Sequence, residues 1–151
     1  MMITIGGALF AVILFLTVMG VLSHFQTPEL GIQKGKLRAC PDKPNCVSSE
    51  GGEDQQHAVF ALKSALEADV AWLQFQRVVH EAGGHIIQHG DDYLHAEFSS
   101  TIFQFVDDLE ARFDRQSVQI HVRSASRVGH SDLSVNRKRI ERLRIRFEEK
   151  L

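Results

Sequence analysis

The stretch RSASRVGHSDLSVNRKR, Arg123 to Arg139, sets five strong bases, four serines, one acid and one asparagine in seventeen positions without repeat or low complexity. That composition suits the capture of an anion, because guanidinium groups pair bidentately with carboxylates and phosphates. The expected order, a strand end through Ser126, a turn about Gly129 and a helix opening at Asp132, would add free backbone N–H groups to Arg123, Arg127 and Arg137. Candidate ligand-binding residues are Arg123, Ser124, Ser126, Arg127, Asp132, Asn136 and Arg137, joined by Asp107 and Asp108 from the acidic stretch upstream. Asp107 is the sharpest anomaly: in the alternation Phe103, Phe105, Asp107, Leu109, Ala111, Phe113 it is the one ionisable group on an apolar face. A carboxylate there is costly unless paired, and Ser124, Arg127 and Arg137 are its expected partners.

Three chemistries fit these residues. The first is a site for a small anionic ligand, a lipid headgroup or an envelope partner. The second is a hydrolase with Asp107 or Asp108 as acid or base and Arg127 and Arg137 stabilising an oxyanion; no nucleophile elbow or triad accompanies it, so no catalytic residue is assigned. The third is a purely structural latch in which the arginines serve only Asp107, Asp108 and Glu110. An open cavity where Asp107, Arg127 and Arg137 converge would favour the first two, and a sealed, fully paired cluster the third.

No metal and no cofactor is expected. His85 and His89 flank a strand, where they stand about 13 Å apart, and the registers proposed below spread His95, Glu97, Glu110 and His121 over different rows. Nucleic acid is not an expected partner: the pI is near 6.4, and Arg139, Arg142, Arg144 and Arg146 alternate with Glu141, Glu148 and Glu149 as on a solvated helix. Anionic lipid headgroups suit those arginines better.

The elements that must position these groups follow from periodicity. Ala68 to Ala82 places Val70, Leu73, Phe75, Val78 and Val79 near helical spacing before Gly83-Gly84. HIIQH, YLHAEF, TIFQFVDDLEARF and SVQIHVRSA alternate with period two between turn-forming groups and predict an antiparallel meander of four strands, after a possible first strand in HAVFALK. Leu133, Ile140, Leu143, Phe147 and Leu151 mark a closing helix capped by Asp132 or Ser134. The fold class expected is α+β, a four-stranded meander with two helices on one face, behind an N-terminal transmembrane helix. Joining Phe113 to Val118 pairs Ala111 with Ile120, Leu109 with Val122, Asp107 with Ser124, Asp108 with Arg123 and Glu110 with His121. Joining Phe98 to Phe103 brings Tyr93 beside Asp108, giving a row Tyr93, Asp108, Arg123.

Residues 1–22 carry no charged side chain and match a bilayer core in length as a helix, which reads as an uncleaved anchor, the membrane being the expected partner of residues 2–22. A cleaved signal peptide is the rival, normally with a shorter apolar region behind Lys or Arg. Residues 23–56 read as a tether and an irregular loop holding Cys40 and Cys46, and residues 57–151 as the α+β domain. The two cysteines fit a disulfide, a pair of structural thiols, or part of a metal or nucleophilic site. Lys34, Lys36 and Arg38 favour a cytoplasmic domain and a disulfide the opposite side; the balance is read toward the non-cytoplasmic side.

CPDKPNCVSS, YLHAEFSS, FVDDLEARFD and above all IHVRSASRVGHSDLSVNRKRIERLR resemble the family catalogued as domain of unknown function 1499, over about Gly31 to Arg146. The resemblance implies a membrane-anchored or exported protein and no established activity. It puts Cys40, Pro44, Asn45, Cys46, Asp107, Asp108, Glu110, Arg123, Ser124, Ser126, Arg127, Gly129, Asp132, Asn136, Arg137 and Arg139 at motif positions. Ser134 departs from it, standing where the family more often has Gly; a serine caps a helix as well.

Overall fold

The computed structural model describes residues 5–51 and 55–149. In chain order its elements are α1 (Ile5–Phe25), β1 (Ile32–Gln33), β2 (Lys36–Leu37), β3 (Cys46–Ser48), β4 (Leu62–Lys63), α2 (Ala68–Glu81), β5 (His85–His89), β6 (Tyr93–Ser99), β7 (Val106–Asp114), β8 (Gln119–Ser126) and α3 (Val135–Glu148). Residues 1–4 of the expected anchor, and Leu151 of the expected closing stripe, lie outside the described residues.

The chain is α+β, with three helices and antiparallel sheets among the described residues. Strands β5 to β8 form a meander, but the sheet has six strands rather than four. Strands β3 and β4 both add to the free side of β8, β3 against Arg123–Ala125 and β4 against Gln119 and Ile120. The cysteine-containing segment, expected as an irregular loop, is therefore part of the folded body, and only Leu62–Lys63 of HAVFALK is strand.

The registers differ from expectation for local reasons. Strands β7 and β8 close at Asp114–Gln119, so Ala111 faces Val122, Leu109 faces Ser124, Asp107 faces Ser126 and Asp108 faces Ala125. The Asp114 carboxylate takes the N–H groups of Gln116 (3.0 Å) and Ser117 (3.3 Å), so the aspartate holds the turn from inside the strand end. Strand β7 begins at Val106, not near Thr101, and Tyr93 faces Arg112. The row predicted as Tyr93, Asp108, Arg123 is instead His95, Glu110, Arg123.

One face of the sheet carries Leu94, Ala96, Phe98, Leu109, Ala111, Phe113, Ile120 and Val122, which share a single core with Trp72, Phe75, Val78 and Val79 of α2 and Ile140, Leu143 and Phe147 of α3. Completely burying a side chain such as Phe75 or Phe147 stabilises by about 2–3 kcal/mol. The inward stripe of α2 is Ala71, Trp72, Phe75, Val78 and Val79, whereas Val70 and Leu73, expected inside, are exposed. Trp72 turns the helix this way by stacking on Phe75 and Phe113 and donating to the Gly90 carbonyl at 2.9 Å.

The opposite face is charged and nevertheless buried, because residues 26–51 lie across it. The Gly31 N–H donates to Glu110 Oε1 at 2.6 Å, and Arg112 holds Glu50 through Nη2 at 2.6 Å. Lys34 and Gly35 both take positive φ, as a two-residue hairpin turn between β1 and β2 requires. A disulfide joins Cys40 to Cys46 and, by the loop-entropy argument, contributes about 2 kcal/mol.

Helix α1 is long and apolar enough to cross a membrane, with mean hydropathy 2.3 over Gly6–Phe25. Its last turns are seated on the domain. Ser23, fully buried, accepts the Val106 N–H at 3.0 Å, and His24 Nε2 donates to the Gln104 carbonyl at 3.1 Å. Gly20 permits the contact: a Cβ there would lie 1.7 Å from the Phe103 carbonyl oxygen. Gly20→Leu is expected to unseat α1, raising hydrogen exchange of the Val106 amide by about two orders of magnitude while the urea midpoint of the core stays in place.

Candidate functional site

The acidic strand and the basic motif meet, but in two separate clusters on opposite faces of the sheet, because Asp107 and Asp108 are adjacent in β7 and point to opposite sides. On the helix side, Asp107 Oδ2 takes Arg139 Nη2 at 2.5 Å. Arg139 Nη1 also donates to Ser124 Oγ (2.9 Å) and to Asn136 Oδ1, and its guanidinium lies 4.7 Å from the centre of the Phe98 ring. Ser124 Oγ donates to Asn136 Oδ1 at 2.6 Å, and Asn136 Nδ2 donates to Ser126 Oγ (2.9 Å) and the Asn45 carbonyl (3.1 Å). The partner of Asp107 is therefore Arg139, not Arg127 or Arg137.

Arg137 turns away, donating to the carbonyls of Ala58 (2.7 Å) and Gln56 (2.9 Å). Asp107, Arg127 and Arg137 thus do not converge. At the start of α3, where an anion was expected, a side chain of the protein already stands. Asp132 accepts from Ser134 N (3.0 Å) and Asn136 N (2.7 Å), so the chain's own carboxylate fills that position. The Gly129 carbonyl is held by Asn45 Nδ2 at 2.9 Å. Ser134, expected as a possible cap, makes no side-chain cap and sits at φ 64, a left-handed conformation in which glycine is at ease.

On the other face, Arg127 grips Asp108 through Nε (2.8 Å) and Nη2 (2.7 Å) and reaches Glu97 as well. His95 Nε2 lies 2.7 Å from Asp108 Oδ1. One row along, Glu110, with no exposed surface, takes Arg123 Nη1 (2.8 Å), the Tyr93 hydroxyl (2.8 Å) and the Gly31 N–H. Burial pushes the Asp108 carboxyl up, but the hydrogen bonds from Arg127 and His95 outweigh it and hold the group below the usual carboxylate range. Hydrogen bonding to Asp108 likewise holds the Arg127 guanidinium firmly charged. Burial raises the Tyr93 hydroxyl and the Glu110 charge raises it further.

Proton chemistry is poorly served by this arrangement, since an aspartate kept ionised by two donors is a weak acid catalyst. His95, Glu97 and Asp108 bring one ligand atom each within 4.8 Å of one another, a spacing that a metal ion could bridge. Arg127 already supplies the positive charge at that point.

Depressed carboxyl groups make a sign that can be checked. Glu50 behaves as Asp108 does, burial raising it and the Arg112 and Leu37 hydrogen bonds lowering it further. Their stabilisation is present above the ordinary values of 3.8 and 4.5 and is lost as pH falls through the lower folded-state values. Urea midpoints are expected to fall steeply below about pH 4, and Glu50→Gln to make that acid limb shallower.

What this face does leave open is a cavity of about 380 Å³ between the sheet and the leading segment, its wall including Thr27, Arg38, Cys40, Arg123, Ser126 and Arg127. Arg123 is 7% exposed, and its Nε is buried without a hydrogen-bond partner among the described residues. Sequence reasoning missed Thr27, Arg38 and Glu50 because it took their segment for a tether. The signal available was GIQKGKL, two short extended pieces about a Lys-Gly pair.

No curated protein matches the chain. A comparison with protein families matches residues 36–147 to the family described as protein of unknown function (DUF1499). That span holds the disulfide, the six-stranded sheet, both charge clusters and nearly all of α3, and the chain belongs to the DUF1499 family.

Proposed function

We propose that the chain is a membrane-anchored binding module whose site is the cavity under the leading segment, occupied by a small anionic group held by Arg123. The observation that carries the reading is that Arg123, Arg127 and Arg38 share the wall of that cavity. The Arg123 guanidinium can pair with a carboxylate or phosphate oxygen there. Arg38, also on the wall, supplies a second positive group beside it, shared with Glu29 at 2.8 Å. The disulfide on the same wall favours an oxidising compartment, which supports a non-cytoplasmic domain.

A structural latch is the second reading, favoured by the complete pairing of Asp107, Asp108 and Glu110. Arg123→Lys separates the two, since lysine keeps a charge for Glu110 but lacks the guanidinium fork. Native mass spectrometry of the gently purified full chain, with calorimetric titration of inorganic phosphate and malonate, is the test. Anion binding supports the module if Arg123→Lys weakens it about tenfold or more, equivalent to one lost charged hydrogen bond. A wild-type chain that retains no anion and binds neither probe leaves the latch.

A further inference from the structure

The loop between β6 and β7 joins the seat of α1 to a second cavity. On one side, its Phe103 and Gln104, with Val106 just beyond, receive Gly20, Ser23 and His24 at the end of α1. At its tip Ile102 is 81% exposed. On the other side, Ser99, Ser100 and Thr101 form the wall of a second cavity, of about 280 Å³, with Arg139, Arg142 and Arg146 of α3 opposite.

The charge in this cavity is unbalanced. Asp107 is spent on Arg139. Arg146 donates to the Glu81 carbonyl at 3.2 Å, which carries no full charge. Arg142 has no carboxylate partner among the described residues, and it is exposed one helical turn from Arg146, on the same side of α3. Three guanidinium groups thus face one carboxylate, beside the point where the apolar helix meets the domain.

We infer that this second cavity holds the headgroup phosphate of an anionic phospholipid, with the acyl chains running past Ile102 into the bilayer that α1 spans. Arg142 and Arg146 pair with the phosphate, and the hydroxyls of Ser99, Ser100 and Thr101 donate to its remaining oxygens. The seat of α1 on the loop sets the height of the cavity at the headgroup layer. The inference does not depend on the Arg123 cavity, which lies on the other face of the sheet, so either can fail alone.

The test uses the full chain in nanodiscs of equal phosphatidylcholine and phosphatidylglycerol, released for native mass spectrometry. The wild type is expected to retain phosphatidylglycerol at least about tenfold over phosphatidylcholine, each arginine near the headgroup contributing about a factor of five. The double variant Arg142→Ala/Arg146→Ala is expected to lose that preference with an unchanged melting temperature, both residues being exposed. Arg123→Lys is expected to keep it. Equal retention of the two lipids by the wild type overturns the inference, as does undiminished preference in the double variant. Displacement of phosphatidylglycerol by inorganic phosphate in the millimolar range overturns it too, by making the free ion the ligand.

Discussion

Arg127→Ala is expected to destabilise the fold by about 3–5 kcal/mol, because it strips a buried carboxylate of its cation. The Arg127 side chain is 6% exposed and that of Asp108 2%, so water does not replace the guanidinium. Glu97, 29% exposed, can turn outward; Asp108 is left with His95 alone. The converse also follows. Replacing both partners, as Arg127→Met with Asp108→Asn, should recover most of the loss, since removing a buried pair together avoids the stranded charge. Urea unfolding of the detergent-solubilised chain measures both, and a loss below about 1 kcal/mol for Arg127→Ala, the range of surface ion pairs, would mean that this face is open to solvent.

The second large effect lies on the helix side. Arg139→Ala removes the cation from Asp107, two donors from the Ser124–Asn136 network and the packing on Phe98. About 3–5 kcal/mol is again expected. Asp107→Asn keeps an acceptor in place and should cost less, and the double-mutant cycle should show a coupling above 1 kcal/mol between these touching residues. Arg137→Ala is the internal contrast. Its bonds reach two carbonyls on a part-exposed surface, so about 1 kcal/mol is expected. Equal effects for Arg137 and Arg139 would contradict the assignment of Arg139 as the partner of Asp107.

How far the sequence could be read depended on the range of the interaction. The meander was legible because alternation and turn residues are local signals, and so was the need of Asp107 for a cation, because a carboxylate among Phe, Leu and Ala declares its own cost. Which cation answers it was not. Arg127 and Arg139 are twelve residues apart in a motif that crosses from one face of the sheet to the other, and a two-residue slip at the Asp114 turn was enough to reassign every partner. The late start of β7 was hidden for another reason: Phe103, Gln104 and Val106 seat α1, a contact between distant segments. The leading segment looked like a tether because its strands are two and three residues long, too short for any periodicity. Its role is visible only in three dimensions, where it buries Glu110 and closes the cavity beside Arg123.

That cavity is most directly tested at Arg123, on its wall. Arginine Nε–H resonances of the ¹⁵N-labelled full chain in a zwitterionic detergent, assigned by Arg123→Lys, report whether an anion reaches the Arg123 guanidinium. Inorganic phosphate or malonate added to the millimolar range should shift and protect the Arg123 signal while that of Arg127, whose Nε already donates to Asp108, stays in place. An Arg123 signal unmoved by either anion would contradict the binding site and leave these arginines as a latch.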